Sequence, residues 1–334
     1  MVHTLAMPLL VALVALALAF DFLNGLHDAA NAIATVVSTK LLSPLHAVLF
    51  AAVGNFAAYW IVGLHVAETV GKGIVDKDAV TPAVVFGALI GAMFWNVVTW
   101  LKGIPSSSSH ALIGGLLGAG IAHAGPGVVE FDGTNKTILA IFLSPMIGFV
   151  IAMVLMLVTS WFFKGTAPRK ADRSFKGLHL ISSAAYSISH GGNDAQKTMG
   201  IIAVLLYSTG HLGGEFHVPE WVVISCYLAI ALGTVSGGWK IIKTMGTGLT
   251  KLNHHSGFCA STAGSIVVFG ASAMGIPIST THAISGSVVG TGAARRASAV
   301  RWSTASRVIV AWFITIPASA AVGAGFYLLT RLFD

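Results

Sequence analysis

The chain has 334 residues, of which 55% are hydrophobic and only 9% charged, with a mean hydropathy of +0.82. Soluble domains carry about a quarter of their residues as Asp, Glu, Lys or Arg, so this composition excludes a wetted globule. The formal charge of +7 does not mark a nucleic-acid partner, because the bases gather in separate loops and form no single basic face.

Apolar runs recur at Met7–Phe20, Ala47–Val66, Val84–Trp100, Ile138–Phe163, Trp221–Trp239 and Val308–Leu329. A span needs about 20 apolar residues, so these runs predict an all-α polytopic protein whose main partner is the lipid bilayer. The first run leads into NGLHDAANAIA, Asn24–Ala34. Asp28 is costly there: a carboxylate at membrane depth costs about 2.5–3.5 kcal/mol on insertion scales and is placed where it faces a polar cavity and partners. Asn24, Gly25, His27 and Asn31 surround it, and the glycine is expected to let the helix unwind toward a cation. Asp21, which has no repeat partner, reads either as buried too or as lying nearer an interface.

After Val84–Trp100 comes GIPSSSSHALIGGLLGAG, Gly103–Gly120. Gly103 permits a turn, and Pro105 can open a helix because the first helical position needs no donor. The hydroxyls of Ser106, Ser107, Ser108 and Ser109 then crowd a helix N-terminus, beside unpaired backbone N–H groups that favour an oxyanion. The plainer reading is close helix packing through small residues. His110 ends the string, as a satisfied polar side chain or a pH-responsive one.

The second half says nearly the same things again. HGGNDAQKTMG, His190–Gly200, matches the first aspartate motif, with Asp194 in the place of Asp28. Asn193 precedes it, and Lys197 stands where the first half has Asn31. An ammonium three residues after a carboxylate can neutralise it one turn away, unless it snorkels to an interface. GIPISTTHAISGSVVGTG, Gly275–Gly292, repeats the hydroxyl string as Ser279, Thr280 and Thr281 followed by His282. The flanking histidines His27 and His190 join His110 and His282 as candidate pH-sensitive groups. Cys226 and Cys259 lie apart in apolar surroundings and read as packing residues.

Ordered repetition of this kind indicates duplication. The loops following equivalent motifs carry opposite charge: Glu130 and Asp132 follow the first GIP motif, Arg295 and Arg296 the second. Basic loops face the cytoplasm, so corresponding loops lie on opposite sides. The expected organisation is two inverted-topology repeats of about five spans each (about 10–12 transmembrane helices), interrupted at the motifs. The boundaries are residues 1–161, a basic cytoplasmic linker 162–176, and residues 177–334.

The paired motifs HDAAN and GGND, with PSSSSH and PISTTH, resemble the inorganic phosphate transporter family. HGGNDAQKTMG, with its lysine, is similar to bacterial low-affinity phosphate permeases more than to the sodium-dependent branch. The resemblance covers essentially the whole chain. It implies a homodimeric inner-membrane symporter with no catalytic activity, cofactor or structural metal. Phosphate would be held by Ser107, Ser108, Ser109, Ser279, Thr280 and Thr281. The coupling cation, H⁺ or Na⁺, would bind at Asn24, Asp28, Asn31, Asn193 and Asp194, with Lys197 departing from the sodium pattern. It also implies that phosphate is accepted as a neutral complex with a divalent metal. From the residues alone, a sulfate permease of the same fold, an anion channel and an intramembrane hydrolase stay open. A hydrolase needs one nucleophile paired with one base, whereas here the Ser/Thr-His pattern is duplicated.

Overall fold

In the computed structural model, which describes residues 5–332, the chain is 82% helical. The first half comprises α1 (Met7–Ser38), α2 (Pro44–Ala57), α3 (His65–Lys72), α4 (Pro82–Lys102), α5 (Ser108–Ala124) and α6 (Phe131–Phe162). The second comprises α7 (Pro168–Ser208), α8 (Glu220–Ser236), α9 (Trp239–Lys243), α10 (His254–Ala273), α11 (Thr280–Arg295) and α12 (Trp302–Thr330). Each half therefore has a long helix bearing the aspartate motif, a bent pair, a span, a short helix bearing the hydroxyl string, and a closing long helix. The bends are 86° between the segments Pro44–Trp60 and His65–Gly71, and 68° between Glu220–Ser236 and Trp239–Gly248.

Among the described residues, α1, α4, α6, α10 and α12 are long and apolar enough to cross a bilayer, and the two bent pairs raise the total to 7. The short helices α5 and α11, of 17 and 16 residues, fall below the about 20 that a span needs. Their N-termini lie buried. The basic stretch 162–176 is mostly not a loop. Pro168 opens α7 at its first position, so the bases ride the first turns of a 41-residue helix.

Interruption falls at the two GIP motifs. Gly103 and Gly275 adopt left-handed φ values of +64° and +68°, which glycine takes without strain, and the chain turns there from α4 into α5 and from α10 into α11. At the aspartate motifs, by contrast, α1 and α7 run through unbroken. The glycines expected to unwind these helices serve close approach instead. A Cβ on Gly25 would stand 2.2 Å from the Ile230 carbonyl oxygen, and one on Gly191 2.5 Å from the Asn55 oxygen.

Buried apolar residues form two clusters. One gathers Leu13, Phe20, Leu89, Leu112, Ile202 and Tyr227; the other gathers Ile33, Val48, Tyr186, Ile241, Ile284 and Val308. The outer faces of α6 and α12 are exposed apolar surface, including Phe142, Met146, Phe313 and Ile314. Such faces suit lipid, which solvates hydrocarbon as water cannot. An apolar groove of about 550 Å³ between α6, α11 and α12 opens on this side. The helices α1 and α7 run antiparallel: Asp21 meets Thr198, while Thr35 and Ser183 both reach Ser261. An inverted duplication requires that antiparallel arrangement.

Candidate functional site

The polar residues of the two aspartate motifs and the two hydroxyl strings converge deep in the bundle. Asp28 and Asp194 are buried, as are all six hydroxyl residues from Ser107 to Ser109 and from Ser279 to Thr281. Burying that much polar surface demands mutual hydrogen bonding, and the strings supply it to the carboxylates. Thr280 donates to Asp194 Oδ2 at 2.9 Å, and Thr281 to Asp28 Oδ1 at 3.4 Å. Asn31 Nδ2 donates to Thr281 Oγ1 at 2.9 Å.

Lys197 does not snorkel. It is 2% exposed, and its Nζ donates to Asp194 Oδ1 at 2.5 Å, to the Ile278 carbonyl at 2.7 Å and to Ser109 Oγ. An ammonium has three protons to give, and all three are engaged. The contacts follow the duplication: Asn31 reaches Thr281 as Lys197 reaches Ser109, each crossing to the hydroxyl string of the other half.

Histidines complete the carboxylate shells. His27 Nδ1 lies 2.8 Å from Asp28 Oδ1, and its Nε2 lies 3.1 Å from Thr99 Oγ1. His190 Nε2 is 3.2 Å from Asp194 Oδ2, with Nδ1 3.1 Å from Asn55 Oδ1. If Nδ1–H donates to that amide oxygen, the Nε2 lone pair is free to ligate, since the partner of one ring nitrogen sets the role of the other. Ligand atoms of Asp28, His190 and Asp194 lie within 4.8 Å of one another, a spacing that suits one cation between the halves.

The hydroxyls divide by job. Ser107 and Ser279 are N-caps, accepting from the backbone N–H of His110 at 3.2 Å and of His282 at 3.1 Å, so their oxygens are largely committed to their own helices. The Ser108 hydroxyl has no partner. The rings of His110 and His282 meet edge to face with centroids 4.4 Å apart, which brings the starts of α5 and α11 together. Neither nitrogen of His110 has a partner, and His282 stacks on Trp312 at 3.8 Å. Two helix N-termini thus converge, each a favourable place for negative charge.

Two residues of the expected cation set stand apart from these contacts. Asn193 Nδ2 donates to Ser272 Oγ at 2.9 Å, fastening α7 to the end of α10. Asn24 Oδ1 has no partner. Sequence reasoning also missed contributors. Tyr186 donates its hydroxyl to the Thr280 carbonyl at 3.0 Å, Thr99 accepts from Ser106 at 3.0 Å, and Asn55 orients His190. A lone asparagine in the apolar run Ala47–Val66 was a usable signal, since intramembrane polar groups need partners; Tyr186 offered none.

A family model described as "Phosphate transporter family" matches residues 24–323. The chain belongs to that phosphate transporter family. It is 59% identical to a "Probable low-affinity inorganic phosphate transporter" of Rhizobium meliloti, covering 98% of both chains. It is 44% identical to a protein of the same description from Bacillus subtilis, covering 97% of this chain and 98% of that one. A solved structure titled "The sodium-dependent phosphate transporter" superposes with a TM-score of 0.91 at 26% identity, over 98% of this chain and 100% of that chain. The protein is thus a multi-pass membrane phosphate transporter and not an enzyme, which removes the hydrolase reading. The bacterial relatives point to the inner membrane.

Proposed function

We propose that the protein imports inorganic phosphate by cation-coupled alternating access, with H⁺ favoured over Na⁺. One observation carries the choice of ion: Lys197 places a fully hydrogen-bonded ammonium against Asp194, where the other half has the neutral Asn31. A fixed positive charge there does the electrostatic work of a bound sodium, so the second half needs no mobile metal ion.

In this reading the two halves are inverted repeats joined through residues 162–176, and the transporter works as a homodimer. Phosphate enters between the starts of α5 and α11. The free Ser108 hydroxyl donates to it, and Ser109, Thr280 and Thr281 turn from Lys197 and the carboxylates toward the substrate oxygens. Ser107 and Ser279 hold the helix starts in place. Lys197, released by Ser109, is near enough to contact the anion. Cation and anion stabilise the occluded state together, since a ligand shifts a conformational equilibrium only through its differential affinity for the two states. A phosphate paired with a divalent metal enters as a neutral complex, which lowers the cost of crossing.

A second reading has its own support. The clustering of Asp28, His190 and Asp194 within 4.8 Å, with the unpartnered Asn31 Oδ1, offers one sodium ion hard oxygen donors from the two carboxylates and the amide, beside the ring nitrogen of His190. The test is radiolabelled phosphate uptake in proteoliposomes under a proton gradient or a sodium gradient imposed separately, with sulfate as competitor and with magnesium added or chelated. The expected result is proton-driven uptake indifferent to sodium. Sodium-driven uptake favours the second reading, and displacement of phosphate by sulfate would overturn the substrate selectivity. Counterflow that does not saturate would make the protein a channel.

A further inference from the structure

We propose that Asp21, which lies outside the substrate site, is the residue that carries the coupling proton. The inference rests on the proton-coupled reading above and names where that proton sits.

Among the described residues, the buried carboxylates are Asp21, Asp28 and Asp194. Asp194 has Lys197 and His190 beside it, and Asp28 has His27. Asp21 is 0% exposed and has no basic partner. Thr198 donates to its Oδ1 at 3.0 Å, and its Oδ2 has no partner at all. An isolated buried carboxylate anion is strongly disfavoured, and binding a proton removes the charge. Asp21 is also unduplicated. Its counterpart in the second half is Ser187, whose hydroxyl donates to its own helix at the Ser183 carbonyl.

The groups around Asp21 supply no compensating positive charge. From α7 it faces Asp194 and Lys197, and the ammonium is already committed to Asp194. From α8 it faces Cys226 and Tyr227, both neutral. Along α1, His27 and Asp28 follow two turns on and are paired with each other. Helices α4 and α2 offer only Lys102 and His46, at their ends.

A second observation gives the proton a route. A cavity of about 280 Å³ is lined by Tyr59, Glu220, Val223 and Tyr227, among others. At one wall Tyr59 donates its hydroxyl to Glu220 Oε1 at 2.8 Å. At another stands Tyr227, whose hydroxyl is buried without a partner. Tyr227 thus lines that cavity on one side and faces Asp21 from α8. A proton arriving from the water of that cavity forms an O–H bond on Asp21 Oδ2, whose lone pair no protein group occupies, and returns to water when the site opens to the other side. Thr198, bonded to Asp21, immediately follows Lys197, so the protonation state of Asp21 acts directly on the helix segment that holds Asp194. The neutral acid lets the α1–α7 contact rearrange; the anion, held by Thr198, resists it.

The test compares Asp21→Asn and Asp21→Glu in proteoliposomes, measuring accumulation of radiolabelled phosphate under a proton gradient and phosphate–phosphate counterflow without one. Asp21→Asn, a permanent mimic of the neutral acid, should lose proton-driven accumulation while keeping counterflow, and Asp21→Glu should keep both. Normal accumulation by Asp21→Asn overturns the proposal. So does loss of both modes with wild-type amounts of protein in the membrane. Should Asp21→Asn fail to insert, Thr198→Val serves. Removing the donor to the carboxylate favours its protonated form, so the pH of half-maximal uptake should move upward by about half a unit or more; an unmoved midpoint overturns the proposal. Wild-type protein driven by sodium and not by protons would instead bring down the coupling reading on which this one stands.

Discussion

The two carboxylate sites carry matching motifs and differ at one decisive position. In the second half, Asp194 holds a lysine whose three protons are all engaged. In the first half, Asp28 holds only a histidine and one threonine hydroxyl, and the equivalent Asn31 keeps an unpartnered oxygen. One site carries its own cation and the other has room for a visitor. The two sites thus differ in charge: Lys197 sets a fixed ammonium beside Asp194, and Asn31 leaves Asp28 without one.

The comparison is broken most severely by removing the fixed ion pair. Asp194→Asn leaves Lys197 charged and buried without its partner, a change that costs about 3–5 kcal/mol in buried pairs. Concentrative uptake should disappear while the protein still inserts, with a lowered melting temperature in detergent; normal accumulation would remove Asp194 from coupling. Making the two sites alike in the other direction, by Asn31→Lys, should cost less. A second ammonium beside Asp28 adds a fixed positive charge next to the hydroxyl strings, and the accumulation ratio should fall by about tenfold, equivalent to about 1.4 kcal/mol of lost coupling. An unchanged ratio would mean that the charge of the first-half site has no part in coupling. The smallest effect belongs to Ser108→Ala. Because that hydroxyl has no protein partner, its loss should leave melting unchanged and raise the phosphate KM by about threefold to tenfold, the net worth of one ordinary hydrogen bond. A fall in melting temperature with KM unchanged would make Ser108 a packing residue.

Much of this architecture was readable before any coordinates. The hydroxyl strings and aspartate motifs stand out because polar groups are expensive in an apolar chain, and Lys197 stands out for the same reason. The GIP motifs forecast the helix breaks because glycine at positive φ acts locally, but Pro105 and Pro277 do not open the helices, which start at Ser108 and Thr280 behind the caps Ser107 and Ser279. What stayed hidden depended on packing. Gly25 and Gly191 read as unwinding points, and only the chain pressed against them, at Ile230 and Asn55, shows that they are contact points. Asn193 belongs to a motif yet turns toward Ser272, because the face a helical residue presents is fixed by its neighbours. The sequence left Asp21 either buried or nearer an interface, and packing decides for full burial. Tyr186 enters the site from a helix face that periodicity alone does not distinguish.

The measurement that reaches the central claim most directly is the sodium dependence of phosphate uptake by Lys197→Asn beside wild type, in proteoliposomes at fixed pH. The account predicts that wild-type uptake is indifferent to sodium, while the variant, with Asp194 stripped of its built-in cation, transports only when sodium is supplied. A variant that transports as well as wild type without sodium would contradict the claim that Lys197 stands in for a bound ion.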